Sequence, residues 1–296
     1  AGKRCALVVL AALAALAGPA RAQAPGGRPA QRSIDPRKTV AAGRVLEYLL
    51  HDRQYERDRR IYVYTPPGYS ADRPAYGLIV AFDGPDYLDT IPLPLMLDTL
   101  QAARRIPPLV AVLVDDSSGE VRIADLGNRA KFATFLGEEL MPWVRSHWHV
   151  TRDPARTIVT GSSAGGLAAA FAAFKRPDLF GNVLSQSGAF WRGEEASNDP
   201  PYEWLTRQYA LGPKWPIRFF LDVGGQETRG ALGGSAPSIR DANRRFRQVL
   251  LTRQYDVRYF EVPDGQHAPQ YWRKRLPNGI VALAGKSTAA GVTRPH

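Results

Sequence analysis

Cysteine is nearly absent. Cys5 is the only one in 296 residues, which leaves no partner for a disulfide and no thiol chemistry further along the chain. The five histidines are scattered and have no cysteines beside them, so they form no ligand cluster, and neither a metal nor another cofactor is implied. No stretch reaches the roughly 20 apolar residues of a membrane-spanning helix, so stable membrane insertion is not expected. The basic residues are spread along the chain without a nucleic-acid motif, and nucleic acid is not an expected partner.

What is present begins with a leader. AGKRCALVVLAALAALAGPARAQA has a basic start at Lys3 and Arg4, an apolar run over 5–17, and small residues around Ala20-Arg21-Ala22. This pattern predicts a secretory signal peptide over 1–22. Export of a chain whose remainder has no cysteine suits a bacterial periplasm or the outside medium. The formal net charge is +11; residues 1–22 hold three basic residues and no acidic one, so the rest carries +8. For an exported protein, that charge points to an anionic small molecule or an anionic cell surface.

Residues 23–38, rich in Pro, Gly and Arg, read as a linker. From 39 to 276, strand and helix patterns alternate. RRIYVYTPPGY (59–69) alternates and then breaks at Pro66. YGLIVAFDG (76–84) and LVAVLVDD (109–116) are nearly continuous apolar runs, as in strands covered on both faces. Helical spacing runs through 128–148, and the strand RTIVTG leads into the Ala-rich AGGLAAAFAAFKR. NVLSQSG, IRFFLDVG and VRYFEVP are further strands, with a helix near 238–252 between the last two. This order predicts an α/β fold with a mostly parallel central sheet and helices on both faces, and a site at the carboxyl ends of the strands. The small-residue stretch 277–296 is expected to be a loose tail.

One motif stands where chemistry would be expected. Gly161-Ser162-Ser163-Ala164-Gly165 has the G-x-S-x-G pattern, which means little alone. Here it follows a strand and opens a helix, the context of a nucleophile elbow with Ser163 as nucleophile. A serine needs a base. Of the histidines, only His267 and His296 follow Ser163, and His267 lies in the loop after the strand VRYFEV, where the base belongs in this chain order. The acid is expected after IRFFLDVG, with Glu227 preferred to Asp222, which lies within the strand, and to Asp264, which is too close to His267. Oxyanion donors are expected at the Ala164 N–H and at Gly84 or Asp86, since Pro85 has no N–H.

The segment TIVTGSSAGGLAAAFAAFKRPDLFGNVLSQSGAFW, together with IVAFDG, VRIADLGNRAKFATFLGEELMPWV (Asp125 standing where Glu is usual), LDVGGQE and DGQHAPQYWR, resembles the enterochelin (enterobactin) esterases and the wider esterase family with esterase D-like and feruloyl esterase domains. The resemblance covers about residues 58–275. It implies an α/β-hydrolase fold and the set Ser163, Glu227 and His267. It also implies Arg122 and Asn128 beside the pocket, the arginine as a clamp for carboxylate or catecholate oxygens, and Trp191 and Trp272 at the entrance, stacking on aromatic acyl groups. Cytosolic enterochelin esterases carry an N-terminal β domain, for which the linker and first strands here are expected to leave no room, so this chain looks more like the single-domain exported members.

The resulting expectation is an exported serine carboxylesterase acting on a small-molecule ester, with an anionic ferric siderophore trilactone as the preferred substrate. A carbohydrate esterase that removes feruloyl or acetyl groups is one alternative. A catalytically inactive binding protein on a hydrolase fold is the other.

Overall fold

A computed structural model of the chain describes residues 31–32, 41–116, 119–127 and 129–285. The expected signal peptide, most of the linker, Asn128 and His296 lie outside the described residues. No helix among the described residues is long and apolar enough to cross a membrane.

The strands are β1 (Gln31–Arg32), β2 (Arg44–Asp52), β3 (Arg57–Thr65), β4 (Gly77–Ala81), β5 (Leu109–Val114), β6 (Thr157–Ser162), β7 (Asn182–Gln186), β8 (Arg218–Gly224) and β9 (Asp256–Val262). Among the described residues they form one sheet in the order β1-β2-β3-β5-β4-β6-β7-β8-β9. β1, β2 and β3 run antiparallel, and the six from β4 to β9 are parallel. Every residue of β4 and β5 is buried, as their continuous apolar runs require. On β4, Leu78 and Val80 join one core while Ile79 and Ala81 join the other. This is the two-fold alternation of a strand with helices on both sides.

The helices are α1 (Gly84–Asp89), α2 (Leu93–Ala102), α3 (Gly119–Leu126), α4 (Ala130–Thr134), α5 (Met141–His147), α6 (Ala164–Lys175), α7 (Trp204–Leu211), α8 (Ile239–Thr252) and α9 (Pro269–Ala284). The expected helix over 128–148 appears as α4 and α5 joined by a π-helical turn at Phe135–Leu140. Side chains of α4 to α8 fill one core, and those of α1, α2 and α9 fill the other. α6 is buried from Ala164 to Ala173, because its alanines and glycines let it lie close against the sheet. Phe246 of α8 stacks on Phe190 with ring centroids 4.0 Å apart, closing the first core.

Two boundaries differ from the sequence expectation. Gln31 and Arg32, inside the expected linker, pair with Leu46 and Val45. The loose tail does not begin at 277, because α9 continues through Pro277 to Ala284. Leu276, Ile280 and Leu283 recur at helical spacing and are buried against the sheet, and that packing outweighs the small residues between them.

A buried ion cluster ties the antiparallel edge to the parallel half. Arg59 of β3 donates to Asp52 Oδ2 at 2.6 Å, to Asp125 Oδ2 at 2.6 Å and to Asp116 Oδ1 at 3.2 Å. Asp116 Oδ2 in turn accepts the Asp83 N–H at 2.9 Å, fixing the loop after β4. Burial pushes the Asp116 carboxyl well above the usual range, and the Arg59 charge opposes that shift.

Asp222, on β8, is a buried acid outside this cluster. Burial pushes it up to about 7, although its Oδ2 accepts from Gln186 Nε2 at 3.0 Å. A carboxyl raised in the fold keeps a proton that the unfolded chain gives up, so its contribution to stability falls as pH rises from about 4 to about 7. Asp222→Asn keeps an acceptor for Gln186 and removes the titration. Unfolding free energies from urea titrations at pH 4.5, 6 and 8 should show the variant gaining on the wild type with pH, by at most about 3 kcal/mol. Parallel curves would contradict the assignment.

Candidate active site

β6 ends at Ser162, and the chain turns sharply into α6 at Ser163, whose backbone sits at φ 57°, ψ −118°. A non-glycine residue holds such a conformation only when its surroundings impose it. Here the Ser163 N–H donates to Gln186 O at 2.9 Å, while its carbonyl accepts the Leu167 and Ala189 N–H groups at 3.1 and 2.9 Å. The turn is tight: a Cβ on Gly161 would stand 2.5 Å from the Gly165 carbonyl carbon. That contact explains why the residue two before the serine has no side chain.

His267 and Glu227 arrive from the loops after β9 and β8. His267 Nε2 lies 3.0 Å from Ser163 Oγ, and Nδ1 lies 2.7 Å from Glu227 Oε2. A carboxylate at Nδ1 holds the proton on that nitrogen and leaves Nε2 as an acceptor for the serine hydroxyl. The Glu227 side chain is 3% exposed. Its Oε1 accepts the Gly224 N–H at 2.7 Å and the Ser187 hydroxyl at 2.6 Å. The loops are also sewn together, with the Gly225 N–H donating to Val262 O and the Gln226 N–H to Gly265 O.

Sequence reasoning missed Ser187. It follows β7 in a left-handed conformation (φ 47°), its N–H donates to Asp222 O at 2.7 Å, and its Oγ accepts Trp272 Nε1–H at 3.0 Å. The only signal was a serine directly after a parallel strand, a common thing in a loop. Trp272 sets its ring edge-on to His267, with centroids 5.1 Å apart at 88°.

The remaining expectations divide. Ala164 and Gly84 each open a helix, where the first N–H groups have no acceptor within the helix. The Asp86 N–H already donates to Asp83 O at 2.9 Å, because α1 closes its first turn on the left-handed Asp83; Asp86 is therefore removed as a donor. Arg122 does lie near the elbow, but its Nε and Nη2 form a fork on the Asp83 carboxylate, so the expected clamp for substrate oxygens is already engaged. Trp191 and Trp272 are 6% and 8% exposed and belong to the two cores, so neither forms an entrance wall. Asn128 lies outside the described residues. Beside His267 is an open cavity of about 460 Å³ lined by Gln226, Glu227, Arg229, Ile239 and Gln266. Arg229 is exposed there and forms no ion pair among the described residues, which leaves a positive wall.

A hydroxyl at a helix N-terminus, an imidazole nitrogen within hydrogen-bond reach and a buried carboxylate behind the ring are the parts of an activated nucleophile. The sequence profile of the family described as Putative esterase matches residues 53–283. The chain belongs to that esterase family. Within it, an iron(III) enterobactin esterase of Dickeya dadantii is 30% identical over 236 residues, covering 77% of this chain and 52% of the relative. The chain thus spans about half the length of that relative. The crystal structure of the enterobactin esterase of Shigella flexneri in the presence of enterobactin superimposes with a TM-score of 0.71 at 25% identity, covering 84% of this chain and 60% of that one. A ferulic acid esterase from Anaeromyces mucronatus shares the fold, with a TM-score of 0.65 at 17% identity, covering 84% of this chain and 92% of that one.

The Ser187 hydroxyl can be separated from its backbone. Ser187→Gly suits the left-handed conformation and removes the hydroxyl, whereas Ser187→Ala also keeps the strain. A hydrogen bond to a charged group contributes about 1.5–3 kcal/mol, so both variants should lose about tenfold or more in turnover of a short aryl ester. Melting temperature should fall in Ser187→Ala and hold in Ser187→Gly. Full turnover in Ser187→Gly would show that the hydroxyl does not serve the site.

Proposed function

We propose that this protein is an exported serine carboxylesterase whose preferred substrate is the trilactone of an anionic catecholate siderophore, free or as its ferric complex. The carrying observation is the unbroken hydrogen-bonded row from Glu227 through His267 to Ser163 at a strained strand-to-helix turn.

Ser163 Oγ attacks the ester carbonyl carbon while His267 Nε2 takes the hydroxyl proton. The carbonyl oxygen becomes an oxyanion facing the Ala164 N–H, with the Gly84 N–H as the second donor and the α6 dipole favouring the negative charge. The C–O bond to the leaving alcohol then breaks, and His267 returns the proton to that alcohol. Water, deprotonated by His267, attacks the acyl-serine and releases the acid, restoring Ser163. Through both halves Glu227 holds the imidazole orientation and stabilises its charged form.

The substrate reading is supported by the relatives named for iron(III) enterobactin, by Arg229 beside His267, which forms no ion pair among the described residues, and by the +8 charge outside the leader, since a ferric catecholate is anionic. The leader pattern of residues 1–22 supports a periplasmic or secreted location.

A competition assay tests the reading. The protein and its Ser163→Ala variant each receive a pool containing a catecholate trilactone with and without iron, a feruloyl sugar, an acetylated xylo-oligosaccharide and a short aryl ester. The trilactone should disappear first, and the variant should be slower by about 10⁴-fold or more. First loss of a sugar ester would overturn the substrate, and no serine-dependent loss would overturn the enzyme.

A further inference from the structure

A second cavity lies at the opposite pole of the sheet from Ser163. It holds about 720 Å³ and is lined by Arg104, Arg105, Arg218, Arg258 and a single acid, Asp256. Arg218 and Asp256 are the first residues of β8 and β9 and are register partners. Arg258 follows Asp256 by two residues, so it lies on the same face of β9. That face is the α9 side, because Arg218 Nη2 donates to Leu283 O at 2.7 Å. Arg104 and Arg105 come from the loop between α2 and β5, which closes the cavity from the other side.

Four guanidinium groups against one carboxylate leave a formal +3 in a concave site. None of the four makes an ion pair within 4.0 Å among the described residues, Asp256 included. Arg57, Arg59, Arg122 and Arg244, by contrast, all find carboxylates. The helix C-termini nearby attract cations and account for Arg218, which caps α9. Arg104 and Arg105 likewise lie just past a helix end, that of α2, but their side chains and that of Arg258 have no acceptor among the described residues.

We infer that this cavity binds a compact phosphate-bearing polyanion. The guanidinium fork matches phosphate oxygens two at a time, and like charges converging from three chain segments fit a ligand with more than one phosphate better than a single small ion. The site stands apart from the proposed ester chemistry, with the length of the parallel strands between them, and does not depend on it.

The test is calorimetric titration of the full chain with inorganic pyrophosphate at constant ionic strength, repeated on Arg104→Gln/Arg258→Gln. Saturable binding with a stoichiometry of one is expected, weakened tenfold or more in the double variant. Melting temperature and turnover of a short aryl ester should stay unchanged, which separates failure here from failure of the esterase reading. A parallel arm measures co-sedimentation with cardiolipin vesicles against phosphatidylcholine vesicles. Arginine-dependent binding to cardiolipin assigns the phosphates to a lipid headgroup, and arginine-dependent binding to pyrophosphate alone assigns them to a soluble ligand. No saturable binding in either arm, or equal binding by the double variant, overturns the inference.

Discussion

The arrangement at the carboxyl ends of the strands depends on one buried acid side chain finding a partner for each of its oxygens. Taking a lone carboxylate out of water costs several kcal/mol unless donors replace the water. Glu227 has three: the Ser187 hydroxyl at 2.6 Å, the Gly224 N–H at 2.7 Å and His267 Nδ1 at 2.7 Å. Two of them come from the ends of β7 and β8 and the third from the loop after β9, so satisfying the acid also fixes where three strand ends stand relative to one another. His267 is oriented as a result, and Ser163 is met at 3.0 Å.

A second set of buried charges acts on the other flank of the elbow. Arg59 gathers Asp52, Asp116 and Asp125; Asp116 holds the Asp83 N–H; and Asp83 takes the fork of Arg122. This chain runs from the antiparallel edge to the first turn of α1, where Gly84 presents its N–H. Acids that look like scattered surface charges in the sequence therefore form a brace for the loop that faces Ser163. The same brace explains why Arg122 turns its Nε and Nη2 to Asp83.

How much could be read beforehand follows from the range of each interaction. The runs LIVA and LVAVLV, the elbow and the Ala-rich helix are local patterns, and local patterns survive in a sequence. Ser163, His267 and Glu227 were reachable because chain order after the elbow leaves few candidates. Ser187 was not, since its meaning lies in a partner 40 residues away, and nothing nearby distinguishes it from any serine after a strand. The tryptophans misled for a related reason: a large aromatic near the motif reads equally well as a wall or as core, and only the packing of Trp272 under Ser187 and His267 decides. α9 was cut short at 277 because Pro277 and its small neighbours hide the spacing of Leu276, Ile280 and Leu283.

The central claim, that one buried hydrogen-bonded row activates one serine, is tested most directly by intact-mass analysis after exposure to a fluorophosphonate probe. The account predicts a single adduct, located at Ser163 by peptide mapping, and at least a hundredfold slower labelling in His267→Ala, since a serine without its base is a poor nucleophile. An adduct at another residue, or equally fast labelling without His267, would contradict it.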